Sequence, residues 1–254
     1  MPTISATIIT KNEAKHIKDC IESVLWTDEI IILDCGSTDN TQDICKQYIP
    51  KVKLYETDWP GFGKQKNRAL EFSTSEWVLS IDADERVTPE LEVEILQILE
   101  HPQHTAYQIP RQNYFLGKPL KFCCGNNDTP IRLAKREFCK FSDDIIHEKM
   151  IINGRIGRLR KKLKHYSCDS LEELTNKTNN YSTLGALKLN QNKEQGGLVK
   201  ALLHASWIFI KFYFIRLGCL DGLPGFIIAL NNFKGTFYKY TKLSKITSAS
   251  KNFS

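Results

Sequence analysis

The sequence predicts an α/β fold: a Rossmann-like, mostly parallel sheet with helices on both faces, extended by a helical C-terminal region. Three observations carry this. Short β-branched runs alternate with helical patterns over residues 1–105. The strand runs are continuously apolar, as strands buried on both faces must be. After Gly196-Gly197 the chain turns strongly apolar from Leu198 to Leu230. With 254 residues, the chain is long enough for one α/β domain of about 250 residues, or one of about 150 with a smaller appendage.

The elements follow in order. Ile4 to Thr10 is a strand, Lys11-Asn12-Glu13 a polar turn, and Ile17, Cys20, Ile21 and Val24 mark one face of a helix. Ile30 to Leu33 is a second strand ending at Asp34; Cys35 to Asp39 is a turn and Thr41 to Tyr48 a helix. Lys51 to Glu56 is a third strand, Trp59 to Gly63 a Gly/Pro loop, and Lys64 to Phe72 a third helix. Trp77 to Ile81 is a fourth strand that stops at Asp82-Ala83-Asp84-Glu85. Thr88-Pro89 then supplies an N-cap and a proline at the first helical position, ahead of Leu91, Ile95, Leu96 and Leu99. From Tyr107 to Ile151 the alternation gives way to strands and loops rich in aromatic and basic residues, and Leu171 to Gly185 is a polar helix. Three segments result: 1–105, 106–195 and 196–254.

The composition is that of a globular protein, with 41% apolar and 25% charged residues, which excludes a disordered or collagenous chain. The net charge of +6 conceals a split: residues 1–148 carry 17 Lys+Arg against 24 Asp+Glu, and residues 149–254 carry 18 against 5. An acidic half suits a divalent cation, and a basic, aromatic half suits an anionic surface. The eight cysteines form no Cys-x-x-Cys pair and no zinc-finger spacing, so they read as reduced thiols of a cytoplasmic protein. Met1 to Thr10 lacks the pattern of a signal peptide.

In open α/β sheets, ligands bind beyond the carboxyl ends of the strands. Asn12, Glu13, Asp34, Asp82 and Asp84 all fall there. Asp82 and Asp84 stand at i and i+2 after a buried strand, where continued extension would point both carboxylates the same way. Mg²⁺ or Mn²⁺ is held by such oxygens together with substrate phosphates; a solvated acidic turn is the alternative. The Asp34 to Asp39 segment has neither P-loop nor dinucleotide-fingerprint spacing, which argues against kinases, GTPases and dehydrogenases.

Thr10 to Glu13, Asp34 to Asp39, Asp58 to Asn67 and Leu79 to Arg86 together resemble the donor-binding half of inverting family 2 glycosyltransferases with the GT-A nucleotide-diphospho-sugar transferase fold. Phe141 to Glu148, Gly157 to Arg160 and His165 to Ser167 resemble the subgroup that adds β-linked glucose to the lipopolysaccharide inner core. The resemblance implies a UDP-sugar donor. It places Thr10, Asn12, Glu13 and Asp34 near uracil and ribose, and Gly63, Lys66 and Asn67 along the nucleotide. It further implies that Asp82 meets ribose or metal-bound water and that Asp84 coordinates a divalent cation bridging the phosphates.

An inverting transfer needs one general base for the acceptor hydroxyl. Glu148 is the candidate, with Asp144 and Asp143 as rivals, and His147 either completes the cation site or orients Glu148. Arg111, Arg132, Arg158 and Arg160 pair with phosphates of an anionic acceptor, or else with surface carboxylates.

On a helix, Lys200, His204 and Lys211 project at about 0°, 40° and 20°. Leu202, Leu203, Ile208, Phe209, Phe212 and Ile215 fall on the remaining face. A spanning helix needs about 20 apolar residues, and Lys200, Lys211, Arg216 and Asp221 interrupt each window. The stretch therefore reads as an interfacial helix at an anionic membrane, with a core helix or dimer face as alternatives. The expected enzyme transfers a hexose, with glucose the first choice, to a lipid-linked oligosaccharide, peripherally on the cytoplasmic face of the inner membrane and without a nucleic-acid partner. The rivals are a sugar nucleotidyltransferase and a non-enzymatic RNA-binding protein using the basic half.

Overall fold

The computed structural model describes residues 2–123, 128–143 and 148–251. Its elements are β1 (Ile4–Thr10), α1 (Ile17–Glu22), β2 (Glu29–Asp34), α2 (Thr41–Lys46), β3 (Val52–Glu56), α3 (Phe62–Phe72), β4 (Trp77–Asp82), β5 (Glu85–Arg86) and α4 (Pro89–Glu100). There follow β6 (Ala106–Gln108), β7 (Arg111–Phe115), β8 (Lys118–Pro119), β9 (Ile131–Lys135), β10 (Cys139–Phe141), β11 (Met150–Ile152), β12 (Ile156–Arg158) and β13 (Leu163–Cys168). The chain ends in α5 (Leu171–Gln191), α6 (Leu198–Ile210) and α7 (Leu223–Lys251). The described residues divide into two compact units: 2–112 with 128–143 and 148–165, and 113–123 with 166–251.

In the first unit a seven-stranded sheet runs β12-β6-β9-β4-β1-β2-β3. The pairs among β1, β2, β3 and β4 are parallel, and β9 enters antiparallel between β4 and β6. The sheet thus continues past residue 105, because β6, β9 and β12 extend it beyond β4. Strand alternation sorts side chains to two faces. Ile8, Ile30, Ile32, Trp77 and Leu79 pack with Ile17 and Ile21 of α1 and with Leu91, Ile95 and Leu99 of α4. Ile31 and Leu33 on the opposite face pack on Ala69, and Val78 on Leu70, both from α3. The expected cap is present: Thr88 Oγ1 accepts the Leu91 N–H at 3.2 Å, with Pro89 opening α4.

At the edge of the sheet where β2 begins, Glu29 is 7% exposed. Its carboxylate accepts from Ser5 Oγ (2.5 Å), Thr74 N–H (2.6 Å), Thr74 Oγ1 (2.9 Å) and Lys53 Nζ (2.6 Å). It thereby fastens β1, β3 and the loop before β4 to β2.

In the second unit, α5 opens with Ser170 Oγ accepting the Glu173 N–H at 3.0 Å. α6 packs along α7 through Ala201 and Ala205, and Ala201 joins Ala186, Tyr240 and Leu243 in one cluster. The structure shows what the Lys200/His204 side of α6 meets. The His204 ring stacks on Tyr240 at 4.6 Å, and Lys200 Nζ lies 5.4 Å over the same ring and 3.3 Å from Glu194. Aromatic stacking and a nearby acid turn the polar stripe toward α7, leaving Leu198, Val199, Leu203 and Trp207 exposed.

Glu29 sets a pH dependence. Burial would raise its pKa, but the hydrogen bonds from Lys53, Ser5 and Thr74 prevail and lower it from 4.5 to about 2. A depressed carboxylate stabilises the fold fully above its unfolded pKa and loses that contribution as pH falls through the folded one. Urea unfolding between pH 4.5 and pH 2 is therefore expected to show a loss of up to about 3 kcal/mol that Glu29→Gln removes from the profile. An unchanged slope in the variant would contradict this role.

Candidate active site

The loops after β1 and β2 are laced together at the carboxyl edge of the sheet. Asn12 adopts φ +56°, a left-handed conformation that asparagine tolerates better than most residues. Its Oδ1 accepts the Thr38 N–H at 2.7 Å, and its own N–H donates to Ser37 Oγ at 2.8 Å. The Glu13 N–H donates to Thr41 Oγ1 at 2.8 Å. Asp34 is fully buried and accepts four donors from its own loop and helix: the N–H groups of Gly36 and Ser37, Ser37 Oγ and Gln42 Nε2. Asp34 thus shapes the loop through its own hydrogen bonds. Thr10, 4% exposed, has a hydroxyl with no hydrogen-bond partner among the described residues.

Next to this edge lies a compensated charge cluster. Asp82 Oδ1 is 3.0 Å from Lys66 Nζ; its Oδ2 is 3.1 Å from Arg111 and also in contact with Arg132. Glu85, fully buried, meets Arg111 at 2.6 Å and Arg132 at 2.9 Å. Lys66 reaches on to Glu148 Oε1 at 2.9 Å. Arg111 also meets the more exposed Asp128 at 3.1 Å, so the three cations are shared among four carboxylates, and burying charge is tolerable only when it is paired. Burial alone would raise the Asp82 pKa, but Arg132, Lys66 and Arg111 hold it well below the usual carboxylate range. Of the two roles that the sequence leaves open for Arg111 and Arg132, phosphate binding or pairing with carboxylates, the second is seen here, with Asp82 and Glu85 as partners.

The extended geometry expected for Asp82-Ala83-Asp84 is also corrected. β4 ends at Asp82, and Ala83 and Asp84 form a turn. The turn is closed because Glu85 Oε2 accepts the Asp82 N–H at 2.8 Å. The two aspartates consequently part: Asp82 faces the protein's cations, while Asp84 Oδ2 lies 3.4 Å from His165 Nε2 on β13. Both side chains are partly buried, at 20% and 17% exposure. One carboxylate oxygen and one imidazole nitrogen form a donor pair that suits Mn²⁺ or Mg²⁺ when phosphates and water supply the rest. Among the described residues no group of three or more His, Cys, Asp or Glu side chains converges on one point.

α3 approaches the segment before β11 closely. A Cβ on Gly63 would lie 1.9 Å from Ser142 O, so only glycine permits this contact. Asn67 spends both ends of its amide on Phe141, donating to its carbonyl at 3.0 Å and accepting its N–H at 2.7 Å. Gly63 and Asn67 thus seat the approach to Glu148. Asp143 is exposed; Asp144 and His147 lie outside the described residues. Two site residues lie within motifs that carry the family resemblance but receive no role from the sequence. Glu85 adjoins the Asp-x-Asp pair but reads as part of an acidic turn, and His165 carries no spacing signal that ties it to Asp84.

The family model for glycosyl transferase family 2 matches residues 5–157. An uncharacterized glycosyltransferase of Rickettsia prowazekii is 34% identical over 99% of this chain and 90% of its own length. The lipopolysaccharide core biosynthesis glycosyltransferase LpsC of Rhizobium meliloti is 30% identical over 96% and 91%. A crystal structure of S. aureus TarS 1–349 in complex with UDP-GlcNAc superposes with a TM-score of 0.52 over 98% of this chain and 92% of that one, at 16% identity, and shares the fold.

Removing one partner of a buried ion cluster costs about 3–5 kcal/mol. Arg132→Met, which leaves Glu85 and Asp82 with fewer counter-ions, is expected to lose that much in urea unfolding at neutral pH. A loss below about 1 kcal/mol, the ordinary value for an exposed pair, would contradict the buried network.

Proposed function

The chain belongs to glycosyltransferase family 2, and on that premise we propose that it transfers a hexose, glucose first, from a UDP-sugar to an inner-core lipopolysaccharide oligosaccharide or related glycolipid, with inversion and with a divalent cation. The observation that carries this reading is the Asp84–His165 pair, 3.4 Å apart, beside a charge-compensated cluster that ends in Glu148. Support for the acceptor comes from the LpsC relative, named for lipopolysaccharide core biosynthesis. A lipid-linked acceptor places the enzyme peripherally on the cytoplasmic face of the inner membrane.

Asp84 and His165 would hold the cation, Mg²⁺ or Mn²⁺, through one oxygen and one nitrogen. The ion would supply positive charge to the diphosphate as it departs. Asp82 keeps its cations, and it contributes by fixing Lys66, Arg111 and Arg132 near the end of β4. The unpaired Thr10 hydroxyl at the end of β1 is suited to a polar group of uracil or ribose. Asn12 and Asp34 hold the loops that frame the nucleotide.

Glu148 acts as general base. Its carboxylate takes the proton of the acceptor hydroxyl while that oxygen attacks the anomeric carbon from the face opposite the diphosphate. The new C–O bond forms as the bond to the diphosphate breaks, and UDP leaves with the electron pair. Lys66, bonded to Glu148 at 2.9 Å, holds the base in one direction. Donor and acceptor groups in fixed orientation account for much of such a rate.

Removing a general base typically costs 10²–10⁴-fold. With UDP-glucose and a core oligosaccharide acceptor, Glu148→Gln is expected to lose about that factor in kcat with donor affinity unchanged. NMR of the wild-type product should show a β-linked sugar. Wild-type turnover in the variant, or a product that keeps the donor's α configuration, would overturn the assignment.

A further inference from the structure

The segment after Gly197 presents an apolar surface that neither unit's core uses. From Leu198 to Ile215 the mean hydropathy is 1.5, yet 11% of the stretch is buried. Leu203 is 68% exposed, Trp207 55%, Phe214 55% and Leu223 68%. This exposure rules out a core helix. Spanning is also disfavoured, because the helix packed along α6 is α7, which carries Lys234, Lys239, Lys242 and Lys245, and charges at the bilayer centre are costly.

The charge around the apolar ridge selects the occupant. Residues 198–251 hold eight Lys and Arg against one acid, Asp221. Asp221 is already engaged, accepting the N–H groups of Lys121 and Cys123 at 2.8 Å each and that of Phe122 at 3.1 Å. Lys211, Arg216, Lys234 and Lys245 make no ion pair with any described residue. Two copies docked on this face would set like charges against one another, whereas an anionic lipid surface neutralises them. Aromatic residues with a polar edge, such as Trp207 and Tyr213, suit the boundary between headgroups and acyl chains.

We propose that the outward ridge of α6 and the turn after it, centred on Leu203, Trp207, Phe214 and Leu223, inserts into the interface of an anionic bilayer, with the helix lying in the membrane plane and its Lys200/His204 stripe turned onto α7. This deepens the membrane contact proposed above and rests on it, but its test does not use turnover, so catalysis and docking fail separately.

The test is co-sedimentation of the full chain with vesicles of phosphatidylglycerol mixed with phosphatidylcholine and with vesicles of phosphatidylcholine alone. The protein is expected to partition onto the anionic vesicles. Its tryptophan emission should shift to the blue and be quenched by lipids brominated near the headgroup, and Trp207→Phe should remove both signals. Leu203→Glu with Phe214→Glu should lower partitioning at least about tenfold with an unchanged circular dichroism spectrum, both positions being exposed. Lys211→Gln and Arg216→Gln should each lower it about fivefold. Failure to bind anionic vesicles, binding with no change in Trp207 emission, or a dimer in sedimentation equilibrium that Leu203→Glu dissociates would overturn the proposal.

Discussion

The site depends on one physical constraint: the fully buried Glu85 and the partly buried Asp82 at the end of β4 need counter-ions that the protein itself supplies. Asp82 and Glu85 lie in β4 and β5, Arg111 and Arg132 in β7 and β9, Lys66 in α3, and Glu148 just before β11. Each pair joins segments distant in sequence, so satisfying the charges also sets the positions of the elements that carry them. A charge left unpaired there would cost several kcal/mol, a large part of the net stability of an ordinary domain.

Satisfying Asp82 internally divides the labour among the acids. With Glu85 closing the turn onto the Asp82 N–H, the chain reverses at Ala83-Asp84 and delivers Asp84 to His165 rather than to the cations. Glu148 meets the same cluster from the other side through Lys66. The Gly63–Ser142 contact and the Asn67–Phe141 pair hold the segment that leads to Glu148 against α3.

Much of this fold is legible in the sequence. The apolar runs of β1 to β4 and the Thr88-Pro89 start of α4 depend on local patterns, and local patterns survive folding unchanged. The site is legible only in outline. Arg111 and Arg132 look like surface cations until β7 and β9 place them beside Asp82 and Glu85, pairings separated by 29 and 47 residues. The Asp-x-Asp pair looks extended because the Glu85 carboxylate that bends it acts through a tertiary hydrogen bond. On α6, helical spacing finds the polar stripe formed by Lys200 and His204, but only the Tyr240 ring on α7 shows what that stripe meets. Periodicity groups residues on a face, and the neighbouring element determines where that face points.

The central claim is that Asp84 and His165 form the protein's share of a cation site for a nucleoside diphosphate, while Asp82 belongs to the frame. Isothermal titration of UDP into the protein, with Mn²⁺ and then with a chelator, tests it directly. The account predicts that Mn²⁺ strengthens UDP binding at least tenfold, that His165→Ala abolishes this gain, and that the variant's metal-free affinity equals that of the wild type (tenfold being about 1.4 kcal/mol). Equal UDP affinity with and without Mn²⁺, or a full Mn²⁺ effect in His165→Ala, would contradict it.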